Sequence, residues 1–276
     1  MSEVLNDTTT PALITAIEAN LVEMFSLNRY WAQAEVHDGK NLFWTITDVP
    51  FPLFNSILRA QLEPNDIDGS IKAAITRSKL RDVPILWWTG PATQPANLGE
   101  YLRNHNFCYK GNSSGMAVDL RSLEGNLQSL PEFSIEAIDN VETLRKWCHV
   151  LRTGFGMAEY VGNAFFDLFS SIGLGRHLPI RHYIGLLKGE PIAVSTLLLD
   201  AGVAGIYNVA TVPNARRKGL GSAMIMKPLY EARAMGYRIG ILQSSNMGAG
   251  VYRSLGFQEY CMLSHYVWSC DTEQSD

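Results

Sequence analysis

The residues of this chain best placed to do chemistry are Arg216-Arg217-Lys218-Gly219-Leu220-Gly221. They follow an apolar run, Gly205-Ile206-Tyr207-Asn208-Val209-Ala210-Thr211-Val212, and precede a helical pattern. Strand, loop and helix start in that order point successive backbone N–H groups and a positive helix end at one spot. A phosphate or pyrophosphate suits such a spot. Glycine leaves the backbone open to close approach by the anion, and Arg216, Arg217 and Lys218 bring positive charge. A lone Gly-x-Gly equally describes an ordinary basic turn, so context must decide. No Gly-Lys-Ser/Thr closes the loop, which excludes a Walker site, and the third glycine of a dinucleotide fingerprint is missing. The cysteines Cys108, Cys148, Cys261 and Cys270 form no CxxC pair and no zinc-like spacing. No metal is expected.

These residues need elements to hold them. Thr10-Pro11 opens a helical pattern, Asn41 to Thr47 and Phe54 to Leu62 read as strands, and Pro64 to Lys79 reads as a helix. Val83 to Thr89 is an apolar strand, Asn97 to Asn104 a short helix, and Phe107 to Leu120 further strands. Arg121 to Pro131 is polar and ends in proline, the best linker candidate. Phe133 to Ala137 is strand-like, and Val141 to Phe155 and Glu159 to Ile172 are amphipathic helices. His182 to Leu187 and Ile192 to Leu199 form a hairpin around Lys188-Gly189-Glu190. Val203 to Val212 is a strand, Gly219 to Met235 a helix, Arg238 to Gln243 a strand and Gly248 to Leu255 a helix, before closing strands over Phe257 to Trp268. The alternation predicts an α/β fold: a mixed, twisted sheet flanked by helices.

With the elements in place, Asn208 to Leu220 resembles motif A of the GNAT N-acetyltransferases, Gln/Arg-x-x-Gly-x-Gly/Ala. Asn246-Met247-Gly248-Ala249-Gly250-Val251-Tyr252-Arg253-Ser254-Leu255-Gly256-Phe257 is similar to their motif B, with Asn, Tyr and Leu-Gly-Phe in order. One helix and one strand separate the two motifs, and the resemblance spans Phe133 to Trp268. It implies that the Val203–Val212 strand splays from the Arg238–Gln243 strand and that acetyl-CoA lies in the V. Pantetheine would pair with backbone at Val209, Ala210 and Thr211. The amides of Arg217, Lys218, Gly219, Leu220, Gly221 and Ser222, with Arg216 beside them, would cradle the pyrophosphate. Asn246 would contact pantetheine, and Tyr252 would sit by the thioester sulfur.

Acyl transfer from a thioester to an amine needs a deprotonated amine, donors for the oxyanion and support for the departing thiolate. A phenol of pKa ~10 is protonated at neutral pH and can donate to a thiolate whose conjugate acid lies near ~8.5. Full proton transfer is uphill in that direction, so a strong hydrogen bond describes Tyr252 better; its alternative is a core aromatic with a satisfied hydroxyl. No base is legible: Glu159, Asp167, His182 and Tyr207 sit on elements that could face the acceptor site, and a structural or surface role is the better reading of each. His177 and His182 flank a loop.

The front half repeats the back half when Phe107 is laid over Phe257, an offset of 150. At that offset Leu102 falls on Tyr252, Asp66 on Arg216, Gly69 on Gly219 and Ile71 on Gly221. A tandem fold with a chemically worn first copy is expected: a degenerate domain over 1–125 and a catalytic domain over 131–276.

A formal charge of -4 argues against nucleic acid, whose phosphates ask for excess Lys and Arg. The first residues, MSEVLNDTTT, lack the basic start and apolar run of a secretion signal. No stretch approaches ~20 apolar residues, so no membrane partner and a cytoplasmic location are expected. The expected activity is transfer of an acetyl or other acyl group from acetyl-CoA to a primary amine of a small molecule or peptide. A non-catalytic acyl-CoA sensor is the alternative, and it would have no use for Tyr252. A longer acyl donor fits the same fold, whereas an aminoacyl-tRNA donor is disfavoured by the intact loop.

Overall fold

The computed structural model describes residues 3–123, 130–245 and 248–269. The helices are α1 (Thr10–Ser26), α2 (Ile67–Arg81), α3 (Leu98–Asn104), α4 (Val141–Phe155), α5 (Glu159–Ile172), α6 (Leu220–Ala234) and α7 (Ala249–Ser254). The strands are β1 (Glu35–Asp38), β2 (Phe43–Ile46), β3 (Ser56–Leu58), β4 (Ile85–Thr89), β5 (Cys108–Asp119), β6 (Phe133–Ala137), β7 (Ile180–Leu187), β8 (Glu190–Asp200), β9 (Val203–Thr211), β10 (Ile239–Ser244) and β11 (Gln258–Trp268). Where several strands were expected after Phe107 and Phe257, each segment is one long strand.

Two compact units form, and neither is one stretch of chain. One holds Met1–Asn20 and Met116–Tyr260, the other Leu21–Gly115 and Cys261–Asp276. This division departs from a cut between 125 and 131. The reason is that α1, β5 and β11 are continuous elements through which the chain passes from one unit to the other. Residues 124–129 of the expected linker lie outside the described residues.

In the first unit the strand order is β5-β10-β9-β8-β7-β6. The β9–β10 pair is parallel; β6–β7, β7–β8 and β8–β9 are antiparallel. The sheet is therefore mixed, as the alternation of elements predicts. Asn140 starts α4 by accepting the Thr143 N–H at 2.9 Å, and Gly156 ends it at φ +69, a polar N-cap and a left-handed C-terminal glycine. Period-two alternation along β8 sends Ala193, Leu197 and Leu199 into a core with Met224, Ile225 and Leu229 of α6. Pro228 lies inside α6 and cannot donate to the carbonyl four residues back, Met224 O. Ser195 Oγ donates to that carbonyl at 2.8 Å. The proline's lost bond is thus recovered by the sheet, and α6 is pinned against β8.

The second unit has the order β1-β2-β3-β4-β11-β5, with β3 and β4 parallel. Its core joins Ile71, Trp87, Leu102 and Phe107 to Tyr266 and Trp268 of β11. The two units share one turn closely. Phe107 N–H donates to Leu102 O at 3.0 Å and Phe257 N–H to Tyr252 O at 3.1 Å. Asn106 and Gly256, one residue earlier, both take the left-handed region, at φ +64 and +90.

The 150-residue overlay holds at that turn and slips upstream. Helix α2 starts at Ile67 and α6 at Leu220, a difference of 153. Asp66, not Gly69, is thus the counterpart of Gly219 at the N-cap, and Asp68 falls opposite Gly221. Ile71 does not stand where a ligand approaches; it is 0% exposed in its own core. The slip is taken up by 90–97, a longer connection than 245–248.

Trp268 is fully buried in the second unit. Trp268→Ala should lower that unit's stability by about 3–5 kcal/mol, read as an earlier denaturant midpoint.

Candidate functional site

Parallel pairing of β9 with β10 covers only Ala204, Gly205 and Ile206 against Gly240, Ile241 and Leu242. Both strands run on, β9 to Thr211 and β10 to Ser244, with no further pairing between them. On its other side β9 stays with β8, but Val194 faces Ala210 while Thr196 faces Tyr207. Asn208 and Val209 share one slot, a β-bulge. Asn208 takes φ +53, a region asparagine enters more readily than most residues, and its Nδ2 donates to Thr196 Oγ1 at 3.2 Å. Helix α4 presses on this part of β9: a Cβ on Gly154 would lie 2.8 Å from the Ala210 Cβ.

The loop after β9 has two left-handed residues, Arg217 at φ +63 and Gly219 at φ +76. The Ala223 N–H is the first in α6 with a backbone acceptor, Gly219 O at 3.2 Å. Among the described residues the amides of Arg217, Lys218, Gly219, Leu220, Gly221 and Ser222 make no hydrogen bond. A helix end leaves such donors open for an outside partner. A Cβ built on Gly219 meets nothing within 4 Å, and one on Gly221 meets only Thr211 Oγ1 at 4.0 Å. Glycines used for packing behave otherwise; at Gly240 the same atom would come within 2.9 Å of Leu120 and Leu229. Gly221 has ordinary helical backbone, so neither strain nor packing asks for glycine. What it preserves is bare backbone facing open space.

Arg216 has a structural task as well. Its Nη2 donates to Gly154 O at 2.6 Å and its Nε to Thr211 O at 3.1 Å. The guanidinium expected to add charge beside an anion also ties the loop to α4 and β9 through these two neutral carbonyls. Gly154 O is one of the last carbonyls of α4, which lack helical partners. Arg217 and Lys218 are exposed and, among the described residues, make no ion pair.

Tyr252, on α7, packs into the first unit's core, with its ring 6.0 Å from that of Phe257 at 70°. Burial holds its phenol above the usual pKa. Among the described residues its hydroxyl has no hydrogen-bond partner, whereas Tyr183 donates to Glu231 at 2.8 Å and Tyr207 to Asn20 at 2.7 Å. Asn246 lies outside the described residues.

Residues 144–257 match the Acetyltransferase (GNAT) family. This segment is a GNAT domain. It contains the parted strands, the glycine loop and Tyr252. Solved structures with the same fold include a GCN5-related N-acetyltransferase from Kribbella flavida, 16% identical, with a TM-score of 0.69 over 91% of this chain and 95% of that one. A tandem GNAT protein from the clavulanic acid biosynthesis pathway is 12% identical, with a TM-score of 0.61 over 97% of each chain. A GCN5-related N-acetyltransferase from Sphaerobacter thermophilus is 12% identical, with a TM-score of 0.60 over 98% of this chain and 95% of that one. None of the curated proteins matches the sequence significantly.

The side chains considered as bases fare unevenly in the GNAT domain. Glu159, Asp167 and His177 are exposed. Tyr207 spends its hydroxyl on Asn20, and burial raises its pKa well above that of a free phenol. His182 is 2% exposed, and burial pushes its pKa down to about 3. Two features of the site escaped sequence reading: the Arg216–Gly154 tie and the bulge at Asn208. Only the second left a trace, an amide side chain inside an apolar strand. Among the described residues no three His, Cys, Asp or Glu side chains converge as metal ligands, and no helix is long and apolar enough to cross a membrane.

His182 also sets a pH dependence. Unfolded, it takes up a proton near pH ~6.5; folded, it stays neutral down to about 3. Its contribution to stability is complete above ~6.5 and declines as pH falls towards 3. Denaturant midpoints should drop between pH 7 and pH 4, and His182→Leu should flatten that part of the curve.

Proposed function

We propose that this chain is an acyl-CoA-dependent N-acyltransferase, moving an acetyl or related acyl group to a primary amine of a small molecule or peptide. The observation that carries this reading is the run of unpartnered amides over Arg217–Ser222 in front of two glycines whose missing side chains leave open space. In it, those amides and the positive end of α6 hold the CoA pyrophosphate, with Arg217 and Lys218 supplying charge. Backbone at Val209, Ala210 and Thr211, no longer paired with β10, hydrogen-bonds pantetheine, and Asn246 contacts the same arm. Arg216 holds the loop in shape.

The amine nitrogen attacks the thioester carbonyl carbon, the C–S bond breaks, and amide and CoA thiol leave; the amine's proton is lost to solvent or buffer base. Tyr252 supplies the hydrogen bond that the departing sulfur needs. A phenol held above its usual pKa stays protonated throughout the neutral range, and it gives up its proton to a thiolate even less readily than free tyrosine does. Its role is hydrogen-bond donation in the transition state. A sensor that only bound acyl-CoA would leave that hydroxyl without a task.

The other unit is read as a worn copy of the same fold. Asp66 and Asp68 stand at the start of α2, where α6 has no acid in its first turn. Carboxylates there favour the helix dipole and repel a pyrophosphate.

Calorimetric titration with acetyl-CoA should give one site per chain, and Gly221→Ile should weaken it at least tenfold by blocking the backbone. A folded Gly221→Ile protein with an unchanged Kd removes the loop from the site. With an amine that supports free-thiol release, Tyr252→Phe should lower kcat on the order of 10²–10⁴-fold and leave the acetyl-CoA Kd near wild type. Wild-type kcat in that variant excludes the donor role.

A further inference from the structure

We propose that His182 is a positioning residue for the acyl-transfer site: through Thr196 it fixes Asn208 and so sets the bulge of β9. The inference rests on the acyltransferase reading above. His182 on β7 stands directly opposite Thr196 on β8, and Thr196 faces Tyr207, the residue before Asn208 on β9. His182 Nδ1 lies 2.9 Å from Thr196 Oγ1, and Asn208 Nδ2 donates to the same oxygen at 3.2 Å. A file of side-chain hydrogen bonds thus crosses three neighbouring strands and ends at the bulge.

The direction of that file follows from what surrounds the ring. His182 Nε2 is buried without a hydrogen-bond partner. The ring is 4.2 Å from that of Phe169 and 5.0 Å from that of Trp147. Aromatic faces accept an N–H and repel a lone pair. With the proton on Nε2, the tautomer that this aromatic surrounding favours, Nδ1 is the acceptor and the Thr196 hydroxyl donates to it. Thr196 Oγ1 then has its lone pairs free for the Asn208 amide. Each partner has one role, so the chain of bonds has one sense.

Asn208 needs this. Its left-handed backbone, φ +53, is one that L-residues occupy unwillingly, and a bulge without a fixed side chain can slip in register. Anchored, Asn208 sets the twist with which Val209, Ala210 and Thr211 run on beside β8, their other edge unpaired with β10. A misplacement of ~1 Å at a reacting centre costs on the order of 10²-fold in rate. His182, far too buried and too weakly basic to take a proton from the amine, thus acts on the reaction through the geometry of β9.

The test uses the full chain at pH 8, where the ring is neutral. His182→Leu keeps the bulk and removes the acceptor; His182→Asn restores an acceptor oxygen near the Nδ1 position. The expected result is a kcat at least tenfold lower for His182→Leu, partial recovery in His182→Asn, and ¹⁵N NMR showing wild-type His182 as the Nε2–H tautomer. Backbone amide signals of Asn208–Thr211 should shift in His182→Leu. Wild-type kcat in that variant, or an Nδ1–H tautomer, overturns the proposal. If the wild-type protein turns over no amine, the acyltransferase reading fails separately. The amide signals then decide: unmoved in His182→Leu, they overturn the positioning role, and displaced, they support it.

Discussion

Two parallel strands that stop pairing leave backbone N–H and C=O groups with nowhere to go, and the GNAT domain is arranged around that constraint. Beyond Ile206, β9 faces β10 without bonding to it. An unmet buried backbone group costs about 1–3 kcal/mol, so such a gap persists only if something else fixes the strand and the gap is open to water or a ligand. Here β9 is fixed on the side away from the gap, by β8 and by α4, whose Gly154 permits near contact at Ala210. Arg216 closes the arrangement by satisfying both Gly154 O and Thr211 O. The strand end, the helix end and the loop are thereby joined through one side chain.

The anion cradle also needs its helix held along its axis. Proline inside a helix ordinarily kinks it and wastes a carbonyl, at about 3 kcal/mol or more. In α6 the carbonyl freed by Pro228 is the one that the Ser195 hydroxyl reaches from β8. The defect becomes an attachment point. It fixes which turn of α6 meets the sheet, and with it the height at which the unpartnered amides of Leu220, Gly221 and Ser222 stand beside the end of β9.

Much of this was legible in the sequence. The helices α4 and α5 fall where amphipathic periodicity places them, and the strand–loop–helix around Gly219 does so within a residue. What failed has physical causes. The gap-free overlay broke because strand and helix lengths, which patterns report well, do not fix connection lengths, which patterns report poorly; a longer 90–97 segment moved Asp66 to the cap position and Ile71 into the core. The tie from Arg216 to Gly154 O joins segments far apart in the chain and is invisible to any local pattern. His182 was weighed as a base because its type allows it; burial beside Phe169 and Trp147, a tertiary fact, removes that role. The exchange of β11 between units was likewise hidden, since an alternating strand says nothing about its neighbours.

That exchange has a bearing on how the protein is made. The core of the second unit takes Tyr266 and Trp268 from β11, while the rest of that core is translated before residue 108. A ribosome adding roughly 5–20 residues per second must work for about ten to thirty seconds more before this strand emerges. During that interval β4 presents an unpaired edge and Trp87 lacks part of its cover. Folding from the N-terminus forward, the usual order for consecutive domains, is thus closed to the first-made unit: it waits, exposed to chaperones and to its neighbours on the polysome, for a strand encoded on the far side of the GNAT domain.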